Sequence, residues 1–330
     1  MYQNTSKEIF KMSIPMFFEL LLQLLVGNID QIMVSHYSQG SVAAIGNGNQ
    51  IMNIIILVLS SMTVATTVLI SRYFGAGDPE KAKSVSNASI YSLSFFSIVV
   101  TLLIYGFQRP LFQWLQVPNE ILDETCSYTV IVSTCVLIQA IYMVFASILR
   151  SHKLMKYVTF VAIIMNTLNI LGNAILINGL FGFPRLGIIG AAISTNISKF
   201  IGLVIIILVF LKKTNMGLGF LNLKYFSFNM AKKVLLIAVP SGGEAFSYQM
   251  SQLIILRFVN TFGTMVIASR SYCMILANIA YVYSMAIAQA TQILVGYLYG
   301  KGDYESIKKR VWNSVFISMA VSVSLTVIMM

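Results

Sequence analysis

Three carboxylates of this sequence fall inside long apolar runs: Glu19, Asp30 and Glu244. A charge placed in hydrocarbon is costly, so each needs a partner or a watery cavity. Glu19, Gln23, Gly27 and Asp30 step by four, four and three, which stacks them on one helix face. Such a stripe either points into a cavity or joins helices through buried hydrogen bonds. In a cavity, a carboxyl shielded from water can exchange a proton near neutral pH, or hold Na⁺ when ionised. Asn166, Asn169 and Asn173 recur at spacings of three and four in a later run. Thr195, Asn196 and Lys199 follow beyond a Gly-Pro turn. Amides and a hydroxyl are neutral oxygen ligands for a cation, or donors to Asp30. The candidates for a cation or proton site are Asp30, Asn169, Asn173, Thr195 and Lys199. Lys199 falls near mid-span, where its ammonium needs a carboxylate or water, and Asp30 is the candidate partner. If the two pair, the lysine takes the place of a metal cation and proton coupling is favoured. The alternative is a packing lysine nearer the surface.

A second constellation suits an organic guest. Glu244, Tyr248 and Ser251 share one helix face, and Tyr272, Tyr281, Tyr283 and Gln289 lie in the next run. Aromatic faces beside a carboxylate attract a flat organic cation. The candidates for a substrate cavity are Glu19, Gln23, Glu244, Tyr248 and Tyr281. The 18 methionines would let a cavity repack around different guests. Each aromatic or methionine taken singly also fits ordinary helix packing.

These residues need membrane helices to position them. The 330-residue chain is 57% hydrophobic and only 10% charged, with a mean hydropathy of +0.81. That is too little charge for a soluble surface of this size. The net charge of +11 sits in short loops between apolar runs, which excludes a nucleic-acid footprint. Nine spans are expected at about 13–35, 46–72, 84–108, 121–149, 157–179, 187–211, 232–260, 267–298 and 311–330. The basic residues alternate. One side receives Lys7 and Lys11, Arg72 to Lys83, Arg150 to Lys156, Lys212 to Lys233, and Lys301 to Arg310. The other carries Arg109, Arg185 and the acids Glu120, Asp123 and Glu124. The positive-inside rule then places the N-terminus in the cytoplasm of a multi-pass plasma-membrane protein. No cleavage pattern follows the short polar start, so the first run is expected to persist as a helix.

The chain also repeats itself at an offset of 225 positions, from Pro15 to Pro240. Glu19 falls on Glu244, and Gly75, Gly77 and Asp78 fall on Gly300, Gly302 and Asp303. The glycines are expected to let the chain leave a helix at positive φ, with each aspartate capping the next helix. Pro15 and Pro240 either open their helices or bend them. Six spans separate the copies, so both enter the membrane in the same sense, as a parallel repeat. The expected fold is an all-α polytopic membrane protein built as a parallel repeat of six-helix lobes, with the second lobe incomplete. Its units would be a lobe at 1–215, a cytoplasmic linker at 216–231 and a partial lobe at 232–330. Spans 7 to 9 repeat 1 to 3, so the chain reads as cut short, with Met330 at the far face.

Three segments of the first lobe, "IPMFFELLLQLLVGNIDQIMVSHYSQGSVAAIGNG", "SRYFGAGDPEKAK" and "LNILGNAILINGLFGFPRLGIIGAAISTNIS", resemble the multidrug and toxic compound extrusion (MATE) transporters. "VPSGGEAF" and "LYGKGDYESIKKR" are similar to that family's second-lobe opening. The resemblance implies a V of two six-helix lobes. It also implies export of amphipathic organic cations by antiport against H⁺ or Na⁺. In such transporters an aspartate of the first helix helps bind the coupling cation, and Asp30 matches it. Asn169 and Asn173 occupy the places of an asparagine and an aspartate four residues apart, so a second acid is missing. Thr195 matches the threonine after Gly-Ala-Ala. The seventh-helix acid of several relatives falls at Tyr248, about a turn beyond Glu244. The implied partners are a small organic cation and the lipid bilayer, with no nucleic acid, no metal, no cofactor beyond the coupling ion and no obligate protein partner for a full-length form.

Competing readings are a flippase for a lipid-linked sugar, which would line its cavity with arginines or lysines, and an inactive truncated product. An enzyme is not expected. There is no Walker-type loop, His-Glu-x₂-His or Gly-x-Ser-x-Gly, and His36 and His152 fall in loops. Cys126, Cys135 and Cys273 stand at no metal spacing.

Overall fold

The computed structural model describes residues 5–35, 39–214, 216–260 and 264–329. His36, and the side chains of Asp30, Arg257, Arg270, Tyr272 and Cys273, lie outside the described residues. The described chain is helical throughout. Its helices are α1 (Thr5–Ser35), α2 (Gln39–Gly75), α3 (Pro79–Trp114), α4 (Asn119–Ser133), α5 (Val136–Ser151), α6 (Met155–Asn178), α7 (Gly187–Lys213), α8 (Phe228–Asn260), α9 (Thr264–Lys301) and α10 (Tyr304–Met329). Among the described residues, five helices are long and apolar enough to cross a bilayer, six when α4 and α5 count as one bent span.

That bend corrects one expectation. The span expected at 121–149 is broken by 41° at Thr134 and Cys135. A break inside a membrane frees backbone carbonyls, which must find other donors. Asn196 of α7 supplies one, its Nδ2 donating to the Ile131 carbonyl at 2.6 Å and to Thr134 Oγ1 at 3.1 Å. Pro15 and Pro240 both lie inside their helices, so neither opens one. The Pro15 carbonyl accepts from Thr159 Oγ1 of α6 at 2.9 Å.

The repeat is visible as geometry. Thr66 and Ser89 join α2 to α3 at 2.8 Å, and their counterparts Thr291 and Ser314 join α9 to α10 at 2.7 Å. Gly77 and Gly302 take φ of 72° and 75° in equivalent turns. Asp78 accepts from the Lys81 amide at 3.0 Å, and Asp303 from the Ser306 amide at 3.1 Å, so both cap the following helix. The Lys81 ammonium and then its amide hold the Asp78 carboxyl below the usual aspartate range, and the Ser306 hydroxyl and then its amide do the same for Asp303. Gly75 and Gly300 differ from the expectation. Both stay helical and serve close approach between α2 and α9. A Cβ on Gly75 would strike the Tyr297 carbonyl, and one on Gly300 the Arg72 carbonyl. Those contacts are reciprocal, because Arg72 and Tyr297 are themselves repeat partners.

The main core gathers α2, α3, α5, α6 and α7 around Leu59, Ile70, Leu93, Phe145, Ile148 and Phe210. Phe145, Phe210 and Phe220 meet edge to face, which pins the segment after α7 to the first lobe. Asn87 and Tyr91 of α3 donate to carbonyls of Phe220 and Leu221 in that same segment. A smaller apolar cluster, including Ile9, Met12, Met16, Ile287, Ile293 and Leu294, seals α1 against α9.

Candidate functional site

The α6–α7 hairpin is built for close packing. Gly172 faces the Ser194 side chain, Gly190 faces the Leu176 backbone, and Gly202 faces Met165; a Cβ at any of them would clash. The approach brings together residues that lie 26 positions apart. Asn169 Nδ2 donates to Thr195 Oγ1 at 3.1 Å, and Ser194 Oγ donates to the Asn169 carbonyl at 2.9 Å. Thr195 Oγ1 also reaches the Ala191 carbonyl at 2.9 Å. Asn166, Asn169 and Asn173 are all buried. The Asn166 Nδ2 finds no partner among the described residues. The arrangement offers neutral oxygens in an enclosed place, the kind of group that ligates Na⁺ or orders water. Lys199 lies one turn further along α7 and is half-buried. Whether it meets Asp30 falls outside the described side chains. Asn196, grouped with Thr195 by sequence, turns instead to the α4–α5 break.

Glu19 has a different environment from its neighbours on the stripe. It is buried, and its Oε1 receives Nη2 of Arg150 at 2.5 Å. Gln23, one turn on, is exposed. Arg150 closes α5, where the sequence reading placed it among loop cations. One signal was available: a buried acid requires a cation within reach, and Arg150 directly follows the apolar stretch of α5. Beside the pair is a water-sized chamber of about 60 Å³, lined by Ser60, Thr63 and Thr67 of α2 and by Gln289 and Gln292 of α9.

Closer to the basic face, the two lobes are tied by a set of polar contacts. Glu8 of α1 pairs with Lys153 at 2.7 Å and with Arg310 of α10 at 3.4 Å. Lys153 also sits over the Tyr297 ring, 5.1 Å from its centroid. The Tyr297 hydroxyl donates to the Ser151 carbonyl at 2.7 Å. Arg72 lies over Tyr299 at 4.5 Å. Glu8 escaped the sequence reading because it precedes the first apolar run.

In the second lobe Glu244, Tyr248 and Tyr281 are all exposed. They stand close enough for both Glu244 and Tyr248 to act electrostatically on the Tyr281 hydroxyl. Among the described residues no group of three or more His, Cys, Asp or Glu could hold a metal ion. Cys126 and Cys135 are buried free thiols.

Comparison with known proteins agrees with this architecture. The family model described as MatE matches residues 15–175 and 240–330, two stretches that begin at the paired prolines. The chain is 33% identical to the uncharacterized transporter YisQ of Bacillus subtilis over 97% of its own length and 70% of that protein's. It is 26% identical to the probable multidrug resistance protein NorM of Thermotoga maritima, over 98% of this chain and 69% of that one. Among solved structures, it superposes on an outward-facing multidrug resistance MATE transporter of the MOP superfamily with a TM-score of 0.90 at 22% identity. That match covers 98% of this chain and 72% of the other. A MATE in the straight conformation matches with a TM-score of 0.89 at 23% identity, over 98% of this chain and 72% of that one. At such identities the structures speak for the fold, while the family model and the Bacillus relative settle kinship. The chain belongs to the MatE family of multi-pass membrane transporters.

Proposed function

We propose that this protein works in secondary active efflux of amphipathic organic cations, exchanged for H⁺ or Na⁺. The lobe at 1–215 would rock against the helices at 232–330 about the linker at 216–231, in the plasma membrane, with the basic face and N-terminus in the cytoplasm. The observation that carries this reading is the presence of two unlike polar places in an apolar bundle. Asn169, Thr195 and Ser194 enclose neutral oxygens suited to a small ion. Glu244, Tyr248 and Tyr281 present an exposed acid beside aromatic rings, suited to a larger organic cation. Asp30 is the proposed carrier of the coupling ion, with Asn169, Asn173, Thr195 and Lys199 around it.

Alternating access requires an interface that can part. The contacts around Glu8, Lys153, Arg310 and Tyr297 are polar, while the apolar packing of α1 on α9 and the glycine approach of α2 to α9 are what such a motion would have to loosen. The test is uptake of a fluorescent organic cation by proteoliposomes of the full-length protein under separate H⁺ and Na⁺ gradients. Asp30→Asn is expected to abolish gradient-driven exchange while membrane insertion stays intact. Undiminished exchange in that variant would remove Asp30 from the mechanism.

A further inference from the structure

Another concavity lies among apolar residues of both halves. It is a groove of about 990 Å³ between α2 and α3 on one side and α8 on the other. Ile54, Val58, Phe95, Leu235, Val239 and Phe246 are among its walls. Two of its three hydroxyls are engaged: Ser61 donates to the Val58 carbonyl, and Tyr91 donates to the Leu221 carbonyl. Where α8 crosses the groove it carries Gly242 and Gly243, and a side chain on Gly243 would meet nothing within 4 Å. The notch therefore leaves room for a guest.

The mouth of the groove has the opposite character. Phe228, Lys232, Leu235, Val239 and Phe246 follow helical spacing along one face of α8, so Lys232 stands on the line of the groove at its basic end. Lys232 is exposed and has no carboxylate partner among the described residues. Lys224 is likewise exposed, beside the groove residue Leu223. From Lys232 to Phe246 the helix rises roughly 21 Å, against roughly 15 Å for half of a hydrocarbon core. An apolar slot of that length with the exposed ammonium of Lys232 on its line, and Lys224 beside its mouth, matches a single amphiphile with an anionic head. A cationic guest would be repelled at the entrance.

We propose that this groove binds an anionic phospholipid of the basic-face leaflet, with its phosphate at Lys232 and one acyl chain along α2, α3 and α8. The walls come from both lobes, so the bound chain would also bias how they sit. The inference stands apart from the transport reading, because binding can be measured without any gradient.

The experiment uses Phe95→Trp in full-length protein whose Trp114 and Trp312 are changed to Phe. Phosphatidylglycerol and phosphatidylcholine with the same brominated acyl chains serve as quenchers. Quenching is expected at a several-fold lower mole fraction of phosphatidylglycerol. Lys232→Gln should remove that preference, and Gly243→Phe should weaken quenching by both lipids. Glycerol phosphate without chains should not compete. Equal quenching by the two lipids, or an unchanged preference in Lys232→Gln, would overturn the proposal. Displacement of the brominated chain by a fluorescent organic cation would overturn it too, by giving the groove to a substrate instead.

Discussion

Removing either member of the Glu19–Arg150 pair leaves a charge where little water can reach it. Glu19 is buried and Arg150 mostly so, which makes the loss of one partner expensive, about 3–5 kcal/mol for a fully enclosed pair. Glu19→Gln and Arg150→Gln should each lower the thermal unfolding temperature in detergent, and the double variant should lose less than the two combined. Strict additivity would mean that the two side chains act separately. His152 gives a second prediction at this scale. Its ring meets Phe74 edge-on at 4.5 Å, and burial holds its pKa below the ordinary imidazole value. An unfolded chain would take up a proton near pH 6.5 that the folded ring resists. The contribution of His152 is thus complete above about pH 6.5 and is lost as pH falls through the lower folded value. Thermal stability should weaken across that acidic window, and His152→Gln should flatten the slope. A slope unchanged by the substitution would assign it to other groups. Asp30 is legible in the sequence as an acid in an apolar run, whereas Arg150 is hidden by its place at the end of one.

At the scale of elements, the α2–α9 crossing depends on two glycines that meet backbone rather than flexible side chains. Gly300→Ala should force Arg72 and its neighbours away, costing about 1–3 kcal/mol. A cysteine placed at Ser71 should then react faster with a water-soluble thiol reagent added on the basic side. Unaltered labelling and stability would show that the crossing yields without separation. Charge alternation and apolar length were enough to read α1, α2, α3, α6 and α7 as spans, because those signals are imposed by the bilayer itself. The α4–α5 break was not readable, since no proline or glycine marks Thr134 and Cys135. Its support comes from Asn196 on a different helix, a contact that no local pattern records. The same holds for Gly75 and Gly300. Their repetition was plain, but the reason for a glycine lies in the opposing helix.

For the whole molecule, the duplication is the most informative property, because equivalent positions can be compared under different cover. In the first lobe α5 lies over α2, where Ser147 and Ser151 donate to the carbonyls of Thr63 and Thr67. The equivalent positions, Ala288 and Gln292, are exposed beside a cavity of about 620 Å³ between α9 and α10. The repeated register was readable because paired prolines, acids and turn glycines are improbable in an apolar composition. The uneven covering was not, because burial is a property of what packs from outside the repeat. The ties at the basic face concern the molecule as a whole as well. Glu8 lies only a few residues from the first described position, yet it grips Lys153 of one half and Arg310 of the other. A purification handle fused at the amino end would hang directly on that clasp. Turnover measured on such a fusion would report the handle's pull as well as the protein's own pace, so kinetic work on this molecule belongs with a carboxyl-terminal or cleaved handle.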